Sequence, residues 1–184
     1  MRVIAGTLKG RRLAAPTWEG LRPTSDKLRE TLFNILARRV QGARVLDGYA
    51  GTGALGIEAI SRGAAHVTFV ERDRRAQALI ARNLAHCRIE NGYVIIRASL
   101  VPAFANLAAS SFDLMLLDPP YGERADETIA VAGPHLASAG LLVLEHGRRA
   151  DTPAVAGELV RTRQVTSGDS ALSFYEASRL RPDL

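Results

Sequence analysis

The sequence predicts an α/β fold in which a mostly parallel sheet carries helices on both faces. Three observations predict it. Short apolar and β-branched runs recur through residues 43–146 and alternate with segments of helical periodicity. A glycine-rich turn, GTGALG at 51–56, joins the first such run to the first such helix. The C-terminal stretch holds two further strand-like runs about a polar turn. Repeated β–α–β units imply parallel strands, right-handed crossovers and helices on both sides, a doubly wound sheet.

In chain order, RVIAG and RRLAA, joined by TLKG, predict a small N-terminal β-hairpin. After a loop holding Gly20 and Pro23, Thr24 or Ser25 caps a helix from about Asp26 to Arg39, with Leu28, Leu32, Ile35 and Leu36 on one face. This front end is too short to bury a core of its own, so it should pack on or beside the sheet. The core then alternates: strand 43–47, helix 52–62, strand 66–71, helix 74–87, strand 93–97, helix 100–108, strand 113–118, helix 127–137 and strand 140–146. Runs at about 158–166 and 171–178, separated by TSGDS, predict a terminal antiparallel hairpin that brings the sheet to seven strands. The 184 residues suit one domain, with 1–40 as appendage and 41–184 as core.

Composition excludes several classes. With 47% hydrophobic and 23% charged residues, the chain is neither disordered nor fibrous. The start MRVIAGTLKGRR lacks an apolar signal core, and no apolar run approaches the roughly 20 residues of a membrane span, so a cytoplasmic protein is expected. Cys87, the one cysteine, has no partner for a disulfide or a zinc-type pair. His66, His86, His135 and His146 have no ligand spacing, and no metal is expected. Charge is unevenly spread: residues 1–44 hold ten basic and three acidic side chains, a net of +7 against +5 for the whole chain. Such a face attracts polyanions, nucleic acid above all, although a solvated surface in an arginine-rich chain would look the same.

Two motifs carry chemistry. GTGALG matches G-x-G-x-x-G between a strand and a helix, and Glu71 follows Gly51 by twenty residues, the spacing at which an acid binds ribose hydroxyls. Asp47, however, ends the first strand four residues before Gly51, where its charge would oppose a pyrophosphate. A cationic, phosphate-free adenosine compound suits the site better, and S-adenosylmethionine is one. The second motif is FDLMLLDPPYGE at 112–123. Pro119 and Pro120 end strand pairing because neither can donate a ladder hydrogen bond. Strand termination alone would need neither Asp118 before them nor Tyr121 after them. Ligands of doubly wound sheets bind beyond the strand carboxyl ends at the switch in strand order, so Asp118 should face the cofactor.

These residues resemble a known family, the class I methyltransferases with a D/N-P-P-Y/F motif, which have a Rossmann-like fold and methylate exocyclic amines. More narrowly, RVIAGTLKGRRL (2–13), LRPTSDKLRETLFNIL (21–36), VLDGYAGTGALGIEAISRGA (45–64), VERDRRA (70–76) and FDLMLLDPPY (112–121) are similar to the bacterial 16S rRNA guanine-N2 methyltransferases. The resemblance implies that the loop with Asp47, Tyr49, Ala50, Gly51, Thr52 and Gly53 wraps the methionine and ribose of S-adenosylmethionine. Glu71 and Arg72 would hold the ribose side. Asp118 and the Pro119 carbonyl would accept hydrogen bonds from the target amine, with Pro120 fixing them and Tyr121 stacking on the flipped base. Where many relatives place an acid for the adenine amine, this chain has Ala98 and Ser99, so Ser99 or a backbone group would serve. Arg2, Lys9, Arg11, Arg12, Arg22, Thr24 and Lys27 would contact RNA, although for Arg22, Thr24, Lys27 and Arg29 the sequence does not separate RNA contact from packing or salt bridging.

The expected function is methylation of a guanine N2 amine in small-subunit rRNA, within an assembled or assembling subunit, by a monomer that touches no membrane. An adenine N6 amine in DNA or RNA is an alternative substrate. An NAD-dependent oxidoreductase would leave DPPY and the basic front end without a purpose. A non-catalytic RNA-binding module would leave Asp47, Gly51, Gly53, Glu71 and Asp118 without one. Glu145 and His146, at the end of the fifth core strand, are expected to support the site at most.

Overall fold

The computed structural model describes residues 1–18, 25–120 and 123–178. The elements are α1 (Asp26–Val40), β1 (Arg44–Asp47), α2 (Ala54–Ser61), β2 (His66–Val70), α3 (Arg74–His86), β3 (Tyr93–Ile96) and α4 (Leu100–Phe104), followed by β4 (Phe112–Leu117), α5 (Ala125–Ala132), β5 (Leu136–Gly147), β6 (Val155–Ala156), β7 (Leu159–Ser167) and β8 (Ser170–Ala177). Among the described residues these strands form one sheet in the order β3-β2-β1-β4-β5-β8-β7-β6. The strands β1 to β5 pair in parallel, and β8 joins β5 antiparallel. No described helix is long and apolar enough to cross a membrane.

The doubly wound, mostly parallel sheet and the C-terminal hairpin are as the sequence predicts. The sheet has eight strands rather than seven, because the chain after β5 runs antiparallel to β7 for two residues, Val155 and Ala156. The N-terminal hairpin is short: around one antiparallel bridge between Arg2 and Arg12, the Val3 N–H donates to the Arg11 carbonyl at 2.9 Å, the Gly10 N–H to the Val3 carbonyl at 2.9 Å and the Leu13 N–H to the Met1 carbonyl at 3.1 Å. Gly6 and Gly10 both adopt positive φ and curl the connection. The Ile4 and Ala5 N–H groups donate to the Glu58 carboxylate instead of across a hairpin. The helix expected over 100–108 ends at Phe104, since Ala105, Asn106 and Leu107 all make tighter i→i−3 bonds. The helix expected over 127–137 gives way at Gly133 to a 3₁₀ turn, Gly133–His135, and β5 begins at Leu136.

Alternation along the strands sorts the core into two layers. Val45, Leu114 and Leu116 pack with α1, α2 and α3 through Phe33, Leu36, Ile57 and Ile80. Leu46, Met115 and Leu117 face α4 and α5 through Leu100, Phe104 and Ile129. Ser25 caps α1, its hydroxyl accepting from the Leu28 N–H at 3.2 Å. Leu28, Leu32 and Leu36 are buried as expected, joined by Phe33 and Val40, whereas Ile35 is only half-buried. Arg29 resolves to a structural residue: it is fully buried, and its Nη2 donates to the Arg2 carbonyl and to Asp26, each at 2.7 Å.

The front end packs on the sheet through α1, and its first residues dock on α2 and α3. Beyond the Glu58 contacts, the Leu8 N–H donates to Ser61 Oγ at 3.0 Å and the Ala14 N–H to Asn83 Oδ1 at 2.8 Å. The third glycine of GTGALG sets how closely α2 approaches the sheet. A Cβ on Gly56 would lie 2.2 Å from a ring carbon of Phe69 on β2 and 2.9 Å from Val67. Both neighbours are fully buried in the core. Gly56→Ala should therefore destabilise the fold by roughly 2–3 kcal/mol, seen as a lower urea midpoint with an unchanged m-value; an unchanged midpoint would contradict this packing.

Candidate active site

Strand order reverses between β1 and β4, and both strands end at the same edge of the sheet. Asp47 pairs in register with Leu116, and the Gly48 N–H donates to the Leu116 carbonyl at 2.9 Å. Asp118 follows directly. A cleft of about 1350 Å³ opens over this edge, lined in part by Tyr49, Glu71, Ser99, Asp118, Pro119 and His146. The sequence predicts a site at this switch point, and the fold brings the two motifs together there.

Asp47 is 1% exposed, and its carboxylate accepts from the Gly56 N–H at 2.9 Å. It lies beneath the glycine loop rather than open in the mouth. Burial pushes its carboxyl up to about 7, with the Asp118 and Glu71 charges adding to the rise. Glu71 uses one oxygen on the Gly51 N–H at 2.9 Å and the other on the Asp73 N–H at 2.8 Å, so it holds the loop as well as facing the cleft. The Gly53 N–H turns back to the Ala50 carbonyl. The N–H groups of Gly51, Gly53 and Gly56 are thus all engaged within the protein.

The remaining predicted residues are distributed as follows. Tyr49 is half-buried; its hydroxyl donates to Glu123, and burial with that hydrogen bond raises the phenol above its usual range. Thr52 is buried, its carbonyl accepting from Asn83 Nδ2 at 2.9 Å. Arg72 approaches Glu123 at 3.9 Å, and Ser99 lies exposed in the cleft wall beside Ala98. Lys27 is exposed at the cleft. Arg2, Lys9 and Arg12 are exposed, and Arg11 donates to the Cys87 carbonyl at the end of α3. Tyr121, Arg22 and Thr24 lie outside the described residues.

Three participants escape sequence reasoning. Glu123, the last residue of DPPYGE, reaches Tyr49 and Arg72 and so ties the proline loop to the glycine loop. Its signal was an acid left unexplained at the end of the motif. Asn83 bridges Ala14 and Thr52, joining the front end to the glycine loop. It falls four and three residues after Leu79 and Ile80, so a polar residue on a buried helix face was the clue. Trp18 lines the cleft, its ring 5.0 Å from the Arg75 guanidinium.

An acid with a folded pKa of about 7 against an ordinary 3.8 binds more protons folded than unfolded between those values, so its contribution to stability is lost as pH rises from about 4 to about 7. Asp47→Asn should therefore differ little from wild type in Tm at pH 4 and melt several degrees higher at pH 8. A Tm difference independent of pH would show that Asp47 does not titrate there.

Comparison with known proteins agrees with this geometry. The profile described as conserved hypothetical protein 95 matches residues 1–176. The ribosomal RNA small subunit methyltransferase D of Escherichia coli K12 is 35% identical over 179 residues, covering 96% of this chain and 89% of the relative. The Bacillus subtilis protein YlbH is 38% identical over 181 residues, covering 96% and 98%. Among solved structures, the Escherichia coli chain yhhF superposes with a TM-score of 0.83 at 34% identity, covering 97% of this chain and 99% of that one. This chain belongs to the conserved hypothetical protein 95 family, the family of the ribosomal RNA small subunit methyltransferases D.

Proposed function

We propose that this protein transfers a methyl group from S-adenosylmethionine to the exocyclic N2 amine of a guanine in small-subunit ribosomal RNA, acting on an assembled or assembling subunit. Its relatives support the coarser part, rRNA methylation by a class I methyltransferase. The observation that carries the reading is the apposition of Asp118-Pro119-Pro120 with the acidic loop across the β1/β4 switch point.

The donor set fits the cofactor. Asp47, Glu71 and Asp118 stand close enough for the latter two to raise the first, an arrangement that a cationic ligand relieves and an anionic one aggravates. The loop glycines spend their N–H groups internally, which leaves a dinucleotide pyrophosphate poorly served and disfavours the NAD reading. Glu71 would take the ribose hydroxyls on its remaining lone pairs, and Ser99 the adenine side. When bound, S-adenosylmethionine supplies a methyl group already activated on a sulfonium.

What the chain must do is orient the amine. A guanine N2 lone pair is delocalised into the ring, so the nitrogen is a weak nucleophile. Acceptors at the Asp118 carboxylate and the Pro119 carbonyl would bind its two hydrogens and turn the lone pair toward the methyl group. Pro120 has no N–H, so it leaves the chain free of the sheet there and presents only acceptors. Asp118 would take up the proton that the amine loses. Tyr121 would stack on the extruded base. The link from Glu123 to Tyr49 and Arg72 holds this loop against the cofactor side, which is the positioning an in-line transfer needs.

The test is transfer of labelled methyl to small ribosomal subunits from cells lacking this chain, followed by nucleoside digestion. N2-methylguanosine is the expected product, and Asp118→Ala should lower kcat by about 10²-fold. N6-methyladenosine would move the substrate to adenine, and no label despite cofactor binding would refute the rRNA reading.

A further inference from the structure

The cleft described above is acidic inside, with Asp47, Glu71, Asp118, Glu123 and Glu145 on or beneath its walls. A neutral base can enter such a space, but the phosphates flanking it cannot follow. They must be met at the rim. Among the described arginines lining the cleft, Arg75 and Arg124 are ion-paired with Asp73 at 3.0 Å and Asp126 at 2.7 Å, and Arg72 leans toward Glu123 at 3.9 Å. Of the described basic front end, Lys27 reaches the cleft, but the N-terminal segment is held away from it. Thr7 and Leu8 are bonded to Ser61 and Arg11 to Cys87, the distal ends of α2 and α3, and α2 alone spans about 12 Å.

Arg148 and Arg149 differ from the other arginines of the rim. They occupy the middle of a turn closed by the Ala150 N–H on the Gly147 carbonyl at 2.9 Å, immediately after β5 and adjoining the cleft. Both are exposed, and neither makes an ion pair with a described residue. The turn is firmly mounted. The Arg148 N–H donates to the Asp169 carbonyl at 2.8 Å, and His146 contacts Gly147 O at 2.9 Å and Ser173 Oγ at 2.8 Å. Farther along, Arg161 Nη1 donates to the Thr152 carbonyl at 2.8 Å and the Tyr175 hydroxyl to the Pro153 carbonyl at 2.9 Å. A loop fastened in this way loses little further freedom on binding.

We propose that Arg148 and Arg149 hold backbone phosphates of the RNA strand beside the target nucleotide, on the wall of the cleft opposite the cofactor loops. This rests on the RNA reading of the preceding subsection. Asp151 and Asp169, exposed on the same lip, oppose the pair in part and confine the anion to the arginine side. The contact is with phosphate and carries no base specificity of its own.

The experiment follows labelled methyl transfer from S-adenosylmethionine to small ribosomal subunits from cells lacking this chain, over a series of salt concentrations, with cofactor affinity measured separately by calorimetry. The R148Q/R149Q variant should raise KM for subunits about tenfold with kcat within twofold, and the R148K/R149K variant should recover most of that loss. The slope of log(kcat/KM) against log salt should become shallower by about 1.4 in R148Q/R149Q, two contacts at roughly 0.7 each for a single strand. Unchanged KM and slope in R148Q/R149Q would overturn the proposal, as would a KM increase that lysine fails to recover. Failure of the wild-type protein to label subunits, with S-adenosylmethionine bound, would instead defeat the RNA reading on which the proposal depends.

Discussion

The parallel pairing of β1 with β4 is the constraint on which the site depends. Their register sets Asp47 opposite Leu116, so the strand that leads into the glycine loop and the strand that leads into the prolines end side by side. Everything chemical follows from the two exits. One chain turns sharply through Gly51 and Gly53, both at positive φ, into a helix packed close on β2. The other cannot re-enter the sheet because consecutive prolines lack N–H groups. Glu123 then fastens the second exit to the first through Tyr49 and Arg72.

The site carries an electrostatic cost that the fold does not cancel internally. Asp47 is buried with a single hydrogen bond to Gly56, and Asp118 and Glu71 disfavour its charge further. Local rules of stability would select against three neighbouring carboxylates, and exceptions of this kind concentrate at functional sites. On the reading proposed above, a cationic ligand in the cleft would offset their shared charge. On the same reading, this acidity would admit an uncharged base and turn phosphate toward the rim, where Arg148 and Arg149 make no ion pair with a described residue.

Apart from Trp18 and Lys27, which line the cleft, the described part of the front end serves the site indirectly. Glu58 and Ser61 hold residues 4–8 on α2, and Asn83 holds Ala14 while also bonding the Thr52 carbonyl of the glycine loop. Arg29, buried in α1, clasps the Arg2 carbonyl. These are side chain to backbone bonds that a segment without regular pairing needs for its polar groups once buried. The glycine loop is therefore braced from behind by residues far away in sequence.

Much of this was legible in the chain itself. Alternating apolar runs, the glycine turn and the double proline determine element type, order and the class of sheet, because each is a local property of backbone sterics and side-chain periodicity. That Asp47, Glu71 and Asp118 stand at the carboxyl ends of neighbouring strands was legible too, since their positions relative to strand ends follow from that periodicity. The two-residue β6, the shortness of the N-terminal hairpin, and the roles of Asn83, Glu58 and Glu123 were decided only by the tertiary structure. Each depends on which distant group meets an unsatisfied N–H or carbonyl, and no short-range pattern encodes that meeting. So too with arginine: one sequence signal, positive charge, becomes a buried brace at Arg29, an ion pair at Arg75 and, at Arg148, an exposed cation without an ion pair to any described residue, according to what the fold sets beside it.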